Sequence, residues 1–268
     1  MTLTALAAPG LFPASSDGFE APSPNDFWQP VAYVGDWAIT RPMALLTISV
    51  VLIIGWLWWA TAHASVVPTK RQYIAEQVYD FVRNGVARDM IGSHDFLRFT
   101  PLLFALFLYI LVNNWFGSLP FTNFPSMSRI GFPIGLVAIV YLGYHYAGVK
   151  KHGLVGYLGT MVPKGIPAPL LLLIVPLELM TFFITRPLTL TLRLFGNMLA
   201  GHMLMSVFIL GGFFLITSGN IGYMAAGVGA FGMGFLMQLL ELLLQAIQAY
   251  VFVMLAASYF GGAVADEH

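Results

Sequence analysis

Four polar side chains stand in the most apolar part of this sequence, and their types are suited to proton chemistry. The segment TLTLRLFGNMLAGHMLM, residues 189–205, carries Arg193 as its only full charge, with Asn197 one helical turn further on and His202 beyond it. The next acidic or basic residue after His202 is Glu241, in a later apolar stretch. Arginine stays protonated at physiological pH, whereas buried histidine and carboxylate groups exchange protons near neutrality. This combination can pair a proton route with a fixed positive barrier.

Helical spacing separates these side chains onto different faces. At about 100° per residue, one stripe of a helix holds the following five positions: Arg186, Thr189, Arg193, Asn197 and Ala200. The small residues Gly196 and Ala200 allow another helix to approach that stripe closely. His202 follows Arg193 by nine residues and therefore projects from the opposite face.

A second helix offers a matching polar face. Glu241, Gln245 and Gln248 are spaced by four and three residues, which places all three on one side of a helix. The break TSGNIG, residues 217–222, allows this helix to pack antiparallel to the first. His202 stands 18 residues before Asn220 and Glu241 stands 21 residues after it, so the two share a similar depth. This favours a His202–Glu241 pair, with the Arg193 stripe as the alternative neighbour.

Each of these residues also has a purely structural explanation. An arginine can extend its charge to the membrane edge, which applies to Arg186 and, at greater depth, to Arg193. His202 can bond a backbone carbonyl, and Glu241 can be a neutral, hydrogen-bonded acid. Gln245 and Gln248 can bond between helices. No spacing of converging ligands predicts a metal site.

The composition places these residues in a membrane. Of the 268 residues, 58% are hydrophobic and only 9% are charged, against about 25% charged in soluble domains. The net charge of zero gives no basic surface for nucleic acid. The absence of cysteine excludes disulfides and thiolate metal sites. Nothing in the sequence predicts a cofactor.

Apolar runs define the expected fold, an all-α integral membrane protein. We expect five membrane-crossing helices plus one amphipathic surface helix, the last two helices being long, strongly tilted and paired as a hairpin. A soluble connecting helix is the alternative for the amphipathic segment, and several short spans are the alternative for the hairpin. Pro176 and Pro187 can kink the first long helix without ending it. The predicted boundaries are 1–42 for an outward-facing N-terminal tail and 43–268 for a single membrane domain, with spans 43–62, 97–118 and 131–149, the surface helix 67–95, and the hairpin 168–216 and 222–262.

Basic residues in the short connections predict the orientation. Connections on one side are rich in lysine and arginine: Lys70, Arg71, Arg83, Arg88, Arg98, Lys150, Lys151 and Lys164. The other side holds only Arg41, Arg129 and the uncharged TSGNIG turn. By the positive-inside rule the N-terminus faces outward, and five crossings place the C-terminus in the cytoplasm.

Several long stretches resemble subunit a of the F-type ATP synthase, in its bacterial form. PLTLTLRLFGNMLAGH is similar to the family's most characteristic segment, and PLELMTFFITRPLTL runs into it as in that family. ELLLQAIQAYVFVMLAASYF resembles the family's last helix, and FLRFTPLLFALFLYILVNNWFGSLP resembles an earlier span. The resemblance covers residues 96–260.

The resemblance implies a role for each matching position. Arg193 would be the essential arginine that faces a ring of c subunits and their membrane carboxylate. Asn197 and Gln248 match polar positions beside it, while His202 and Glu241 resemble residues of an outer aqueous half-channel. Glu178 matches an acid associated with the inner half-channel. The expected proton pathway is therefore formed by Glu241, His202, Asn197, Gln248, Glu178 and Gln245.

The implied protein is a proton-translocating stator subunit and not an enzyme by itself. Its expected partners are the c-subunit ring, b-type peripheral stalk subunits and the lipid bilayer, and its expected location is the bacterial plasma membrane. The alternative is a proton-coupled secondary transporter, which also uses intramembrane Arg, Glu and His but would favour an internal repeat and an enclosed substrate site. The sequence shows neither, and a purely structural membrane subunit leaves Arg193 unexplained.

Overall fold

The computed structural model describes residues 30–34, 37–118, 126–160 and 168–265. Within them, five helices are long and apolar enough to cross a membrane: Pro42–Thr61, Phe96–Ser118, Gly131–Gly159, Leu170–Thr217 and Ile221–Val264. The expected membrane fold of five crossing helices is confirmed.

A β-hairpin precedes the first span. Strands β1 (Pro30–Val34) and β2 (Trp37–Thr40) pair antiparallel, and helix α1 (Arg41–Thr61) follows directly. The expectation of a plain tail up to residue 42 is therefore incomplete, because its last part is paired strand and the helix begins two residues early. Residues 1–29 lie outside the described part of the chain.

The amphipathic segment forms a nearly continuous helix. It comprises α2 (Lys70–Val82), a π-helical stretch (Arg83–Arg88) and the short α3 (Asp89–Ile91), and it ends at Gly92 with φ 95°. Val82, Val86 and Ala87 are buried. Two apolar residues of the same helix, Ile74 and Phe81, are about half exposed within this chain. Its position at the membrane surface stays a prediction.

The next two spans include a correction. Helix α4 covers Phe96–Ser118, and a 3₁₀ turn at Ser126–Ser128 leads to α5 (Gly131–Thr160). We expected the span to end at residue 149 and a connection to begin at Lys150, but helical structure continues to Thr160. It bends at Gly153, whose φ of 73° suits a residue without a side chain. After the bend the chain folds back toward the first part of α5, and the Tyr157 hydroxyl lies 2.9 Å from His145 Nδ1.

Two long helices form the predicted hairpin. Helix α6 (Ala168–Met180) passes through a π-helical stretch (Thr181–Thr185) into α7 (Arg186–Thr217), and α8 (Ile221–Val264) runs back. The two crossing segments have 48 and 44 residues. A helix of 44 residues is about 66 Å long, roughly twice the thickness of the hydrocarbon core, so both must be strongly inclined to fit.

The hairpin closes through a short turn and close helix contacts. Gly219 has φ 76°, and the Asn220 side chain accepts a hydrogen bond of 2.9 Å from the backbone N–H of Gly222. A Cβ at Gly227 would lie 2.8 Å from the Gly212 carbonyl oxygen. The glycines therefore allow α7 and α8 to pack with their backbones almost in contact.

One lysine, near the bend of α5, contacts the segment before α4 and the end of α8. Lys151 Nζ donates hydrogen bonds to Asp95 Oδ2, at 3.1 Å, and to the carbonyl of Val264, at 2.6 Å. This links the end of α5 to the residue before α4 and to the end of α8. The Lys151 ammonium beside it lowers the pKa of the Asp95 carboxyl below its ordinary value.

We expect Gly227→Ala to destabilise the hairpin by about 1–3 kcal/mol, because the added methyl group would overlap the α7 backbone. Thermal unfolding of the purified protein in detergent measures the effect. Gly229→Ala is the matched control, since a Cβ there meets nothing within 4 Å. Equal stability of the two variants would contradict the close packing.

We expect Asp95→Asn to increase local opening of the backbone at the end of α8 at neutral pH, because Lys151 loses its ionic partner. Because the pKa of Asp95 is lowered from 3.8, its contribution is present above that value and is lost as the pH falls through the lowered pKa. Hydrogen–deuterium exchange at the end of α8 should accelerate at pH 7. Asp89→Asn, at an exposed position, is the control and should leave exchange unchanged. No acceleration in Asp95→Asn would show that the link does not hold the end of α8.

Candidate functional site

Helix α7 presents two chemically different sides. Arg193 is exposed on the surface of the chain. Leu194, Met198 and His202 are 2% exposed or less and point into the protein. The continuous helix therefore separates the arginine from the histidine, as their spacing predicted.

The side that carries Arg193 is open. Thr189 and Ala200 are exposed, Asn197 is half-buried, and a Cβ at Gly196 would meet nothing within 4 Å. Across the described residues, the Arg193 guanidinium has no acidic partner. This chain therefore leaves a permanent cation on a face with room for a close neighbour.

On the other side, His202 and Glu241 come together between α7 and α8. His202 Nδ1 lies 4.0 Å from Glu241 Oε1, and both residues are at most 5% exposed. Gln245 Nε2 donates to the same oxygen at 3.0 Å and lies 3.7 Å from the sulfur of Met198. Of the two neighbours considered for the Glu241 face, the structure provides His202. The spacing of 4.0 Å is longer than a hydrogen bond.

Two residues that position this cluster were missed by the sequence reasoning. A Cβ at Gly201 would lie 3.2 Å from Glu241 Cδ, so the absence of a side chain there makes room for the carboxyl group. Asn114 of α4 donates to the backbone carbonyl of Gln245 at 3.3 Å. The adjacent Asn113–Asn114 pair in an otherwise apolar span was the available signal for α4. The glycine has no comparable signal, because many glycines occur in these helices.

Several buried polar atoms around the cluster have no hydrogen-bond partner within the described part of the chain. They are Glu241 Oε2, Gln245 Oε1, Asn114 Oδ1 and Gln248 Nε2. Buried polar groups in native proteins are nearly always bonded to protein or to water. The cluster is therefore a polar seam between α4, α7 and α8 with capacity for further hydrogen bonds.

Three further predicted residues, Glu178, Gln248 and Arg186, lie further along the two long helices. Glu178 is half-buried on α6, 15 residues before Arg193. Gln248 is buried on α8, seven residues beyond Glu241. The guanidinium of Arg186 lies 3.5 Å from the ring centroid of Phe182 and 5.0 Å from that of Tyr259. Both distances are those of cation–π contacts.

Two groups of the cluster can exchange protons. The described residues contain no group of three His, Asp or Glu side chains that could hold a metal ion. They do contain a buried carboxyl group and an imidazole within 4.0 Å of each other, two groups that exchange protons.

The chain is similar to a known family along most of its length. The family model described as ATP synthase A chain matches residues 43–261. A relative from Nocardioides sp., named ATP synthase subunit a, is 44% identical over 95% of this chain and 96% of its own length. Proteins of the same name from Pseudarthrobacter chlorophenolicus and Streptomyces lividans are 38% and 35% identical, over 96% and 94% of this chain and 98% and 90% of their own lengths. The five crossing helices, the polar seam and this similarity agree, and the chain belongs to the ATP synthase A chain family.

Proposed function

We propose that this membrane subunit is the proton-translocating stator of an F-type ATP synthase, in which Arg193 separates two aqueous half-channels. The observation that carries the proposal is the placement of Arg193 and of the His202–Glu241 pair on opposite sides of one helix. The fixed positive charge of Arg193 suits a barrier to protons. The His202–Glu241 pair, kept on the other side of the helix, suits a route for protons.

The outer half-channel is the polar seam between α4, α7 and α8. Glu241 and His202 pass protons between them, and the adjacent unsatisfied amide and carboxyl atoms hold water along the way. Gln245 fixes the orientation of the carboxyl group through its hydrogen bond of 3.0 Å. Gln248 continues the polar face of α8 beyond this point.

Arg193 faces a carboxylate supplied by another subunit. An unpaired charge inside a membrane costs several kcal/mol, and this chain leaves the arginine exposed without an acidic partner among its described residues. A ring of c subunits with a membrane carboxylate satisfies that charge. Arg193 stabilises the carboxylate after it releases its proton and repels protons that would leak directly between the half-channels. Asn197, one turn away, helps to orient the guanidinium.

The rotary cycle follows from these roles. A proton enters from outside past His202 and Glu241 and neutralises a carboxylate of the ring, which then turns through lipid. The carboxylate releases its proton on the inner side, where Glu178 receives it. Each proton that crosses the full membrane potential yields about 2.3 kcal/mol per 100 mV.

The proposed setting is the bacterial plasma membrane, with the N-terminus outside and the C-terminus in the cytoplasm. The concentration of Lys and Arg between α1 and α4 supports this orientation, as do Lys150 and Lys151 near the bend of α5 and Lys164 after its end. b-type stalk subunits hold the chain against the turning ring, and ATP is formed in another part of the complex.

Arg193→Ala should abolish ATP-driven proton pumping in vesicles that contain the whole complex, because the ring carboxylate would lose its counter-charge. A pH-sensitive dye measures pumping, and the amount of assembled complex is measured in the same vesicles. Normal pumping by an assembled Arg193→Ala complex would contradict the proposal.

Glu241→Gln and His202→Ala should each slow proton flux by about tenfold or more, because each removes a proton-exchanging group from the polar seam. His152→Ala, which changes a histidine near the inner end of α5, is the control and should leave flux unchanged. The same flux in all three variants would remove the outer half-channel from the proposal.

A further inference from the structure

The π-helical stretch Thr181–Thr185 interrupts an otherwise α-helical segment between Glu178 and Arg193. Its local cause is Pro187, which lacks an N–H group and whose ring crowds the carbonyl four residues earlier in an α-helix. Widening the preceding turn relieves that contact, and membrane helices accommodate proline in this way. The backbone N–H of Arg186 accordingly bonds the Thr181 carbonyl, five residues back.

Neighbouring side chains hold the stretch in place. The hydroxyl of Tyr144 in α5 donates to the carbonyl of Phe182 at 3.4 Å. The ring of His145 stacks on Phe183, with centroids 5.5 Å apart and planes 9° from parallel. Arg186 covers the Phe182 ring from the other side. A backbone carbonyl that the wider turn displaces thus receives a hydrogen bond from α5.

The stretch changes which side of the helix Glu178 occupies. Glu178 precedes Arg186 by eight residues, which in an uninterrupted α-helix leaves the two about 80° apart. A π turn takes one additional residue, so it reverses the rotation by about 100° and leaves them about 20° apart. By the same count Glu178 moves from about 100° away from Asn197 to directly in line with it.

We propose that the π-helical stretch sets the rotational phase of the long helix, so that Glu178 lies on the side that carries Arg186 and Asn197. In an uninterrupted α-helix Glu178 would instead lie about 20° from Thr189 and 40° from Leu192, in the middle of the exposed side, and about 60° rather than 40° from Arg193. Pro187 and Tyr144 are then positioning residues for the inner end of the proton route. This inference rests on the proposed function of Glu178.

Matched single-residue deletions test the proposal in the whole complex. Deletion of Ile184, an exposed residue within the stretch, removes the additional residue and restores an α-helix with the same phase. ATP-driven pumping should therefore persist. Deletion of Leu188, an equally exposed residue outside the stretch, rotates Glu178 away from Arg193 and should reduce pumping by about a hundredfold. Equal losses in the two assembled complexes would overturn the proposal.

Removal of the Tyr144 hydroxyl group gives a second test. Its expected result differs from that of a Tyr144 side chain that only fills space. Tyr144→Phe should lower pumping severalfold at native length, because the Phe182 carbonyl loses its donor. In the Ile184 deletion, where the wide turn is gone, the same substitution should have no effect. A loss of equal size in both backgrounds would contradict the proposal.

Arg193→Ala in the same preparations distinguishes failure of the proposed function from failure of the proposed role of the π-helical stretch. If that variant still pumps, the proposed function itself is wrong. If it does not pump while both deletions are equally inactive, only the role of the π-helical stretch is wrong.

Discussion

The dominant physical constraint in this protein is the cost of holding a guanidinium group in hydrocarbon. Arg193 cannot lose its charge, and its own chain exposes it without an acidic partner among the described residues. Its environment must therefore be completed from outside. The small residues around it, the open space beside Gly196 and the polar Asn197 all follow from that requirement.

The opposite face of the same helix solves a different problem, the burial of groups that must stay exchangeable. Glu241 and His202 are almost completely enclosed, yet Glu241 Oε2 has no hydrogen-bond partner among the described residues. A fully bonded carboxylate would be stable but slow to exchange its proton. The side chain missing at Gly201 and the hydrogen bond from Gln245 fix the position of the carboxyl group while leaving Oε2 available.

Much of this architecture could be predicted from the sequence, for identifiable reasons. Apolar run lengths predicted the five spans, and similar distances from Asn220 predicted the His202–Glu241 pair, because both depend only on helix rise and turn. The extension of α5 to Thr160 was missed because Lys150, Lys151 and Gly153 look like a loop. Lys150 and Lys151 are helical and Lys151 contacts the end of α8, whereas Gly153 forms the bend. The π-helical stretch was missed because proline predicts a disturbance without specifying its form. The roles of the site residues remain predictions.

The continuity of α7 also prevents proton transfer across the helix through its backbone. All interior peptide groups of an α-helix bond to one another, so the backbone offers no chain of acceptors across its width of about 10 Å. Over the stretch from Arg193 to His202 the helix has neither a proline nor a π turn. A proton that reaches the seam beside Glu241 therefore finds no path through the helix to the arginine face. In the proposed function the turning ring carries the proton around the helix, and the thickness of one helix is enough to couple its passage to that movement.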